Sequence, residues 1–210
     1  WVGTDDGNVQ VTRDGGKTWT NVTKNVAGLP PNTWASSVTP GNFDAGTAFA
    51  TFDGHQTGDM KTYVYRTTDY GRTWVSLATP GLKWYAHIVR QDLVNPELLF
   101  LGTEWGLYVS VDGGRQWGQL TPGLPNVAVR DLAIHPREGD LVIATHGRGL
   151  YILDDLSPLR SLDAKTLEAD VAFLPARATP VFIPSSEQRF DSDVTPLSLG
   201  VETLGGVFTR

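Results

Sequence analysis

The chain contains no cysteine and a single methionine, and no apolar run in its 210 residues approaches the roughly 20 residues that a membrane-crossing helix needs. Without cysteine there is no disulfide framework, no thiolate metal site and no thiol nucleophile. That absence leaves the compartment open. Basic clusters are also missing. Seventeen Lys and Arg stand against 23 Asp and Glu, for a formal charge of −6 and a pI near 5.1. Such a balance argues against nucleic acid as a partner. No metal-ligand spacing, G-x-S-x-G elbow or nucleotide-binding glycine loop occurs, so neither a metal nor another cofactor is expected. The chain opens at Trp1 in mid-pattern, without an initiator methionine or signal segment, so any targeting sequence is expected outside it.

What the chain has is turns. Twenty-three Gly and 13 Pro with 40% hydrophobic residues indicate a turn-rich, all-β globule rather than disorder. Three stretches are nearly the same: Thr12-x-Asp14-x-Gly16-x-Thr18-Trp19, Thr67-x-Asp69-x-Gly71-x-Thr73-Trp74 and Ser110-x-Asp112-x-Gly114-x-Gln116-Trp117. The aspartates are 55 and then 43 residues apart. The second spacing is that of a four-stranded propeller blade, about 40–45 residues, and an insertion over Asp53–Lys61 accounts for much of the longer first one. Each stretch reads as a turn between two strands. The Ser/Thr hydroxyl and the Asp carboxylate accept from backbone N–H groups that the turn leaves unpaired. Gly16, Gly71 and Gly114 supply a positive φ, and Trp19, Trp74 and Trp117 bury apolar area between neighbouring blades. A catalytic acid at each Asp is the rival reading. One chemistry seldom needs three identical copies, whereas a stacked fold does.

Aligning the repeats exposes the rest of the unit. Trp1–Thr4, Ala48–Thr51, Leu99–Thr103 and Leu141–Thr145 are short apolar runs ending in Thr, read as buried second strands. Third strands follow, and the fourth unit, Leu150–Asp154, keeps the strand and loses the Gly and Trp, as terminal repeats do. First strands are expected over Trp34–Thr39, Tyr85–Arg90 and Val129–His135. The expected fold is therefore all-β: about three and a half four-stranded antiparallel blades over residues 1–156, an open part of a β-propeller ring. Rings close with about four to eight blades, so the remaining blades are expected on missing sequence or another chain. Residues 157–210 read as an irregular arm or linker toward a further domain. It holds a short helix over Asp163–Asp170, capped by Asp163 or Ser161, and extended segments such as Val181-Phe182-Ile183 among Pro175, Pro180, Pro184 and Pro196.

Alternate turns of a meander emerge at opposite ends of a blade. The repeated turns share one end with the Pro-containing turns, where His135 is read as structural. The other end collects turns that differ in chemistry from blade to blade, and binding residues sit on such loops. Its candidates are Asp5, Asp6, His55, Trp84, Tyr85, Trp105, His146 and Arg148 as ligand-binding residues. Glu104 and Asp53 are the catalytic candidates, as a paired acid and base for glycoside hydrolysis. The structural alternatives are a plain Asp-Asp-Gly turn at 5–7, solvated carboxylates at Asp53 and Glu104, and blade-packing aromatics at Trp84, Tyr85 and Trp105. At the His146-Gly147-Arg148-Gly149 turn, anion binding stands against an ion pair from Arg148 to Asp5 or Glu104.

The wider pattern around Trp1–Gly7, Tyr65–Trp74 and Ala144–Asp155 resembles Asp-box (BNR) repeat β-propellers, in particular the bacterial sortilin/VPS10-like group often labelled glycosyl hydrolase. The resemblance covers residues 1–156. It implies a secreted or periplasmic protein and a propeller that binds a glycan or polypeptide as a scaffold. A glycoside hydrolase, xyloglucanase-like rather than sialidase-like, is the alternative. Sialidases use an arginine triad and a Phe-Arg-Ile-Pro signature; here Phe182-Ile183-Pro184 lacks the Arg and lies in the tail.

Overall fold

Over residues 1–154, runs rich in β-branched and aromatic residues, each stopped by a Gly-, Pro- or Asp-bearing turn, form the strands of four successive antiparallel sheets. The computed structural model describes residues 1–180, 201–203 and 206–209, in two units, Trp1–Asp154 and Asp155–Arg210. In the first unit β1 (Val2–Gly3), β2 (Val9–Val11) and β3 (Thr20–Asn21) make one sheet. β4 (Trp34–Pro40), β5 (Ala48–Gly54), β6 (Asp59–Thr67) and β7 (Val75–Ser76) make the second, and β8 (Ala86–Gln91), β9 (Leu99–Thr103), β10 (Gly106–Ser110) and β11 (Gly118–Gln119) the third. β12 (Val129–Ile134), β13 (Leu141–Thr145) and β14 (Leu150–Leu153) close the series. These are blades of a β-propeller: two complete ones flanked by one without its first strand and one without its last. First strands lie side by side, β4 against β8 and β8 against β12.

The three repeated turns carry the same hydrogen bonds. In the first, the Thr12 hydroxyl donates to Asp14 Oδ1 at 2.9 Å and accepts from Gly16 N at 2.8 Å. Asp14 in turn accepts from Thr18 N at 2.9 Å and from the Thr18 hydroxyl at 2.6 Å. Asp69 repeats all four contacts with Thr67, Gly71 and Thr73. Asp112 repeats three, with Ser110, Gly114 and Gln116. Each carboxylate is committed to holding its own turn. The bonds with Thr18, then Thr12, hold the Asp14 carboxyl down at about 2.

The second and third repeated turns also seat on the blade before them. Trp74 is buried among Val9, Val11, Val22 and Val26 of the first blade, edge-on to Trp1 at 6.0 Å. Asn25 Nδ2 donates to Gly71 O at 2.8 Å. A methyl group on Gly71, at φ 79°, would stand 2.7 Å from the Val22 side chain, so glycine is required twice over. One blade on, Trp117 Nε1 donates to Leu77 O at 2.9 Å and the ring packs on the cluster of Phe49, Val64 and Leu77. Trp19 departs from expectation. It is 45% exposed, because no described residue supplies the blade on which it would seat. For the same reason β1 is exposed along its length rather than a buried second strand. Middle strands β5 and β9 are buried throughout, and each fully buried Leu or Phe there stabilises by about 1.5–3 kcal/mol. On β9, Gly102 is small because Val129 O of the next blade lies 2.7 Å from where a Cβ would be.

The second unit begins with α1 (Ser157–Arg160) and α2 (Ala164–Glu168), the latter capped by Asp163, whose side chain accepts from Thr166 N at 2.7 Å. β15 (Val171–Leu174) pairs with β18 (Gly206–Thr209), and β16 (Ala178–Pro180) with β17 (Val201–Thr203). Val181–Ile183, Pro184 and Pro196 lie outside the described residues. Among the described residues no helix is long and apolar enough to cross a membrane.

The two tryptophans give a matched test. Trp74→Ala is expected to cost about 3–5 kcal/mol of unfolding free energy and Trp19→Ala less than about 1 kcal/mol, read by denaturant unfolding; equal losses would refute seating on the preceding blade. Asp14 gives a second. Its folded pKa lies below 3.8, so its contribution is full above that value and disappears as pH falls through about 2. An NMR titration should place the carboxyl midpoint there, and Thr18→Val should move it upward.

Candidate functional site

Every first strand that has a predecessor carries one bulge at the same place. The ladder skips a residue between Ala35 and Ser37 on β4, between Ala86 and Ile88 on β8, and between Val129 and Asp131 on β12. The skipped residues are Ser36, His87 and Arg130. A bulge re-aims its side chain out of the pleat, and all three reach an adjoining blade. Ser36 Oγ donates to Ala86 O at 2.8 Å, and Arg130 Nη1 meets His87 Nδ1 at 3.4 Å. A second row lies at the ends of the middle strands, where the registers make Asp53, Glu104 and His146 equivalent, with Asp5 at the same place after β1.

Between the second and fourth blades the rows converge. Glu104 Oε2 accepts from His87 Nε2 at 2.9 Å and from Arg130 Nη2 at 3.2 Å. His87 thus has a carboxylate on one nitrogen and a guanidinium on the other, which suits a neutral ring with one N–H and one lone pair. Burial pushes the His87 pKa below 6.5; the Glu104 bond opposes this, and the Arg130 charge adds to it. Asp53 is 3% exposed and lies in β5, not in a solvated turn as expected. Its strand runs on because the inserted hairpin continues the ladder to Gly54↔Asp59. Asp53 Oδ1 accepts from His55 Nδ1 at 2.7 Å and from His55 N at 2.9 Å, while Oδ2 is buried without a hydrogen-bond partner. The His55 ring stacks on Tyr85 at 4.7 Å, and Tyr85 meets His87 edge-on at 5.2 Å. Burial, then Glu104 and Asp53, raise the Tyr85 phenol against the opposing pull of Arg130.

Beside this cluster is a cavity of about 360 Å³ lined by Met60, Trp84, Tyr85, Glu104, Trp105 and Asn126, with Val127 and Ala128. Trp84 and Trp105 form its ledge: ring centroids 6.1 Å apart, planes 22° from parallel, the residues 43% and 41% exposed. Trp84 holds φ at 65°, a left-handed conformation that costs a bulky residue energy and is found where surroundings enforce it. The Thr62 hydroxyl of the long β6 hairpin donates to Trp84 O. Tyr63 OH donates to Asp59 Oδ2 at 2.7 Å, fastening that hairpin at its base. A larger groove of about 520 Å³ lies in the first blade beside Asn8, Asn21, Thr23, Lys24 and Asn32. It has no comparable ionisable cluster.

Asp53, His55, Trp84, Tyr85, Glu104 and Trp105 therefore come together. Asp5 and Asp6 do not: they stay in their own turn, where the Thr4 hydroxyl donates to Asp6. His146 N donates to Ala128 O at 2.9 Å. Arg148 is exposed and makes no ion pair with Asp5 or Glu104. The cation that meets Glu104 is Arg130, placed by its bulge. His135 does hold its own turn, its Nδ1 accepting from Glu138 N at 3.1 Å. Sequence reasoning missed His87 and Arg130. The available signal was a polar residue two places into each first strand, after Trp34, Tyr85 and Ala128.

A scan against protein-family models finds no match, and a search of curated proteins finds none. Among solved structures, the GH74 xyloglucanase from Xanthomonas campestris matches with a TM-score of 0.57 at 17% identity, over 85% of this chain and 30% of that one. YCF48 bound to D1 peptide matches with a TM-score of 0.51 at 22% identity, over 73% of this chain and 45% of that one. YCF48 from Cyanidioschyzon merolae gives 0.50 at 18% identity, over 96% and 66%. The chain corresponds to less than half the length of the first two. At these identities the likeness establishes the β-propeller fold.

The His87 contacts fix the direction of a titration. With its pKa lowered, neutral His87 contributes its full stability above about 6.5 and loses it as pH falls below that value. NMR should show the Nε2–H tautomer at neutral pH and a midpoint below 6.5. Arg130→Gln should raise that midpoint and Glu104→Gln lower it. Indifference to both would remove the bridge.

Proposed function

We propose that this segment is the ligand-binding part of an Asp-box propeller of the sortilin/VPS10-like group, in a secreted or periplasmic bacterial protein. It holds a glycan or polypeptide at the end of the blades that carries Trp84 and Trp105. The carrying observation is the pair of exposed, nearly parallel indoles over a cavity whose edge holds the Glu104 carboxylate. Large aromatic faces left in water beside fixed polar groups are what a binding site needs. Propeller neighbours that bind a peptide or act on xyloglucan accord with this reading. The remaining blades, on other sequence or another chain, complete the ring in it.

A glycoside hydrolase is the second reading, and the buried, unpartnered Asp53 Oδ2 favours it. Glu104 weighs against it, because Oε2 is already occupied by two donors. The test is glycan-array and peptide screening of the full-length protein beside hydrolysis assays on polysaccharides. Trp84→Ala and Trp105→Ala are each expected to weaken the ligand found by about 2 kcal/mol, roughly 30-fold, with folding intact. Turnover that disappears in a folded Glu104→Gln variant would decide for the hydrolase.

A further inference from the structure

The lining of the Trp84–Trp105 cavity has a marked chemical bias. Its walls are the rings of Trp84, Tyr85 and Trp105, the Met60 thioether, the Asn126 amide and the aliphatic Val127 and Ala128, and among the described residues that line it Glu104 alone is charged. An indole face is the negative side of the ring quadrupole and the best of the aromatic surfaces for a cation. With Asp53 behind the lining there are two carboxylates, Asp53 and Glu104, against one guanidinium, Arg130, which is committed to Glu104 and His87. Asp53 adds an acceptor oxygen that is buried and without a donor. His55 spends its Nδ1 proton on Asp53, so a neutral ring keeps only a lone pair at Nε2. Among the charged groups in and behind the lining, negative charge is in excess. Two lysines are near in sequence. Lys61 follows Met60 in β6, so it points to the opposite face of the strand, and its charge acts on Asp59. Lys83 is exposed and does not line the cavity. The fold already uses the same contact between blades, where the Arg13 guanidinium lies 4.1 Å from the centroid of the Tyr70 ring.

We infer that the occupant of the ledge is a cationic side chain, the guanidinium of Arg or the ammonium of Lys, presented by a polypeptide. The inference rests on the binding-module reading and narrows it. The cation lies over the Trp84 and Trp105 faces, with Glu104 at its edge. The formal charge of −6 on the whole chain draws such a partner in.

The experiment uses the 210-residue chain and its indole fluorescence. The probes are short capped glycine peptides with one central Arg, Lys, norleucine or Glu. The Arg and Lys peptides are expected to bind roughly tenfold more tightly than norleucine, with the Glu peptide weakest and the preference shrinking as salt rises. Trp105→Leu should abolish the preference and Trp105→Phe retain most of it. Glu104→Gln should weaken the Arg and Lys peptides and leave norleucine unchanged. Because Glu104 also holds Arg130, each variant is first checked by unfolding, and the Trp105 pair decides the matter if Glu104→Gln does not fold. Equal binding of norleucine, or preference for Glu, overturns the cation and leaves a binding ledge standing. A glycan that binds in a Trp105-dependent way while no peptide does also overturns the cation and keeps the ledge. No ligand of any class at the ledge overturns both.

Discussion

Everything in the propeller unit depends on how one turn sits on the blade before it. The turn is internally complete: hydroxyl and carboxylate satisfy its N–H groups, and glycine takes the left-handed step. That rigidity lets it present Trp74 or Trp117 outward at a fixed angle. The preceding blade answers with an aliphatic residue, Val22 or Leu77, placed by the same ladder bond each time. Inter-blade packing is therefore a single contact repeated, as expected of an architecture whose stability is a sum of unit and neighbour terms. Where the neighbour is missing from the described residues, the same residues lie open at Trp19 and Val2, and Leu150 and Ile152 of β14 stand 69% and 62% exposed.

This explains which features were legible in the sequence. The turns were, because their causes lie within eight consecutive residues and recur three times. Strand order followed from the same spacing. Burial of Trp19 was not legible, because burial belongs to a pair of blades and the motif describes only one member. Asp53 was misplaced for a related reason. Its turn was set by analogy with shorter hairpins, whereas the inserted residues extend the ladder and draw the carboxylate into the strand.

The site was half legible. Positions that vary where their surroundings repeat did collect at one end, and six of the named residues meet there. Asp5, Asp6 and Arg148 share that register without joining, since nothing in the repeat says which neighbours lean toward one another. Arg130 and His87 escaped because a bulge shifts a residue against the period-two pattern by which strands are read. No alternation of apolar and polar residues announces it.

Those bulges have a consequence for how such a protein changes over time. A residue that the ladder skips contributes no cross-strand pair, so its side chain can be exchanged without disturbing the hydrogen bonds on either side. Ser36, His87 and Arg130 are a hydroxyl, an imidazole and a guanidinium in one and the same structural slot. Each blade with a first strand thus offers one position whose side chain varies while the ladder around it does not. A row of such positions along the first strands lets the polar contacts between blades change by single exchanges on a backbone that stays put.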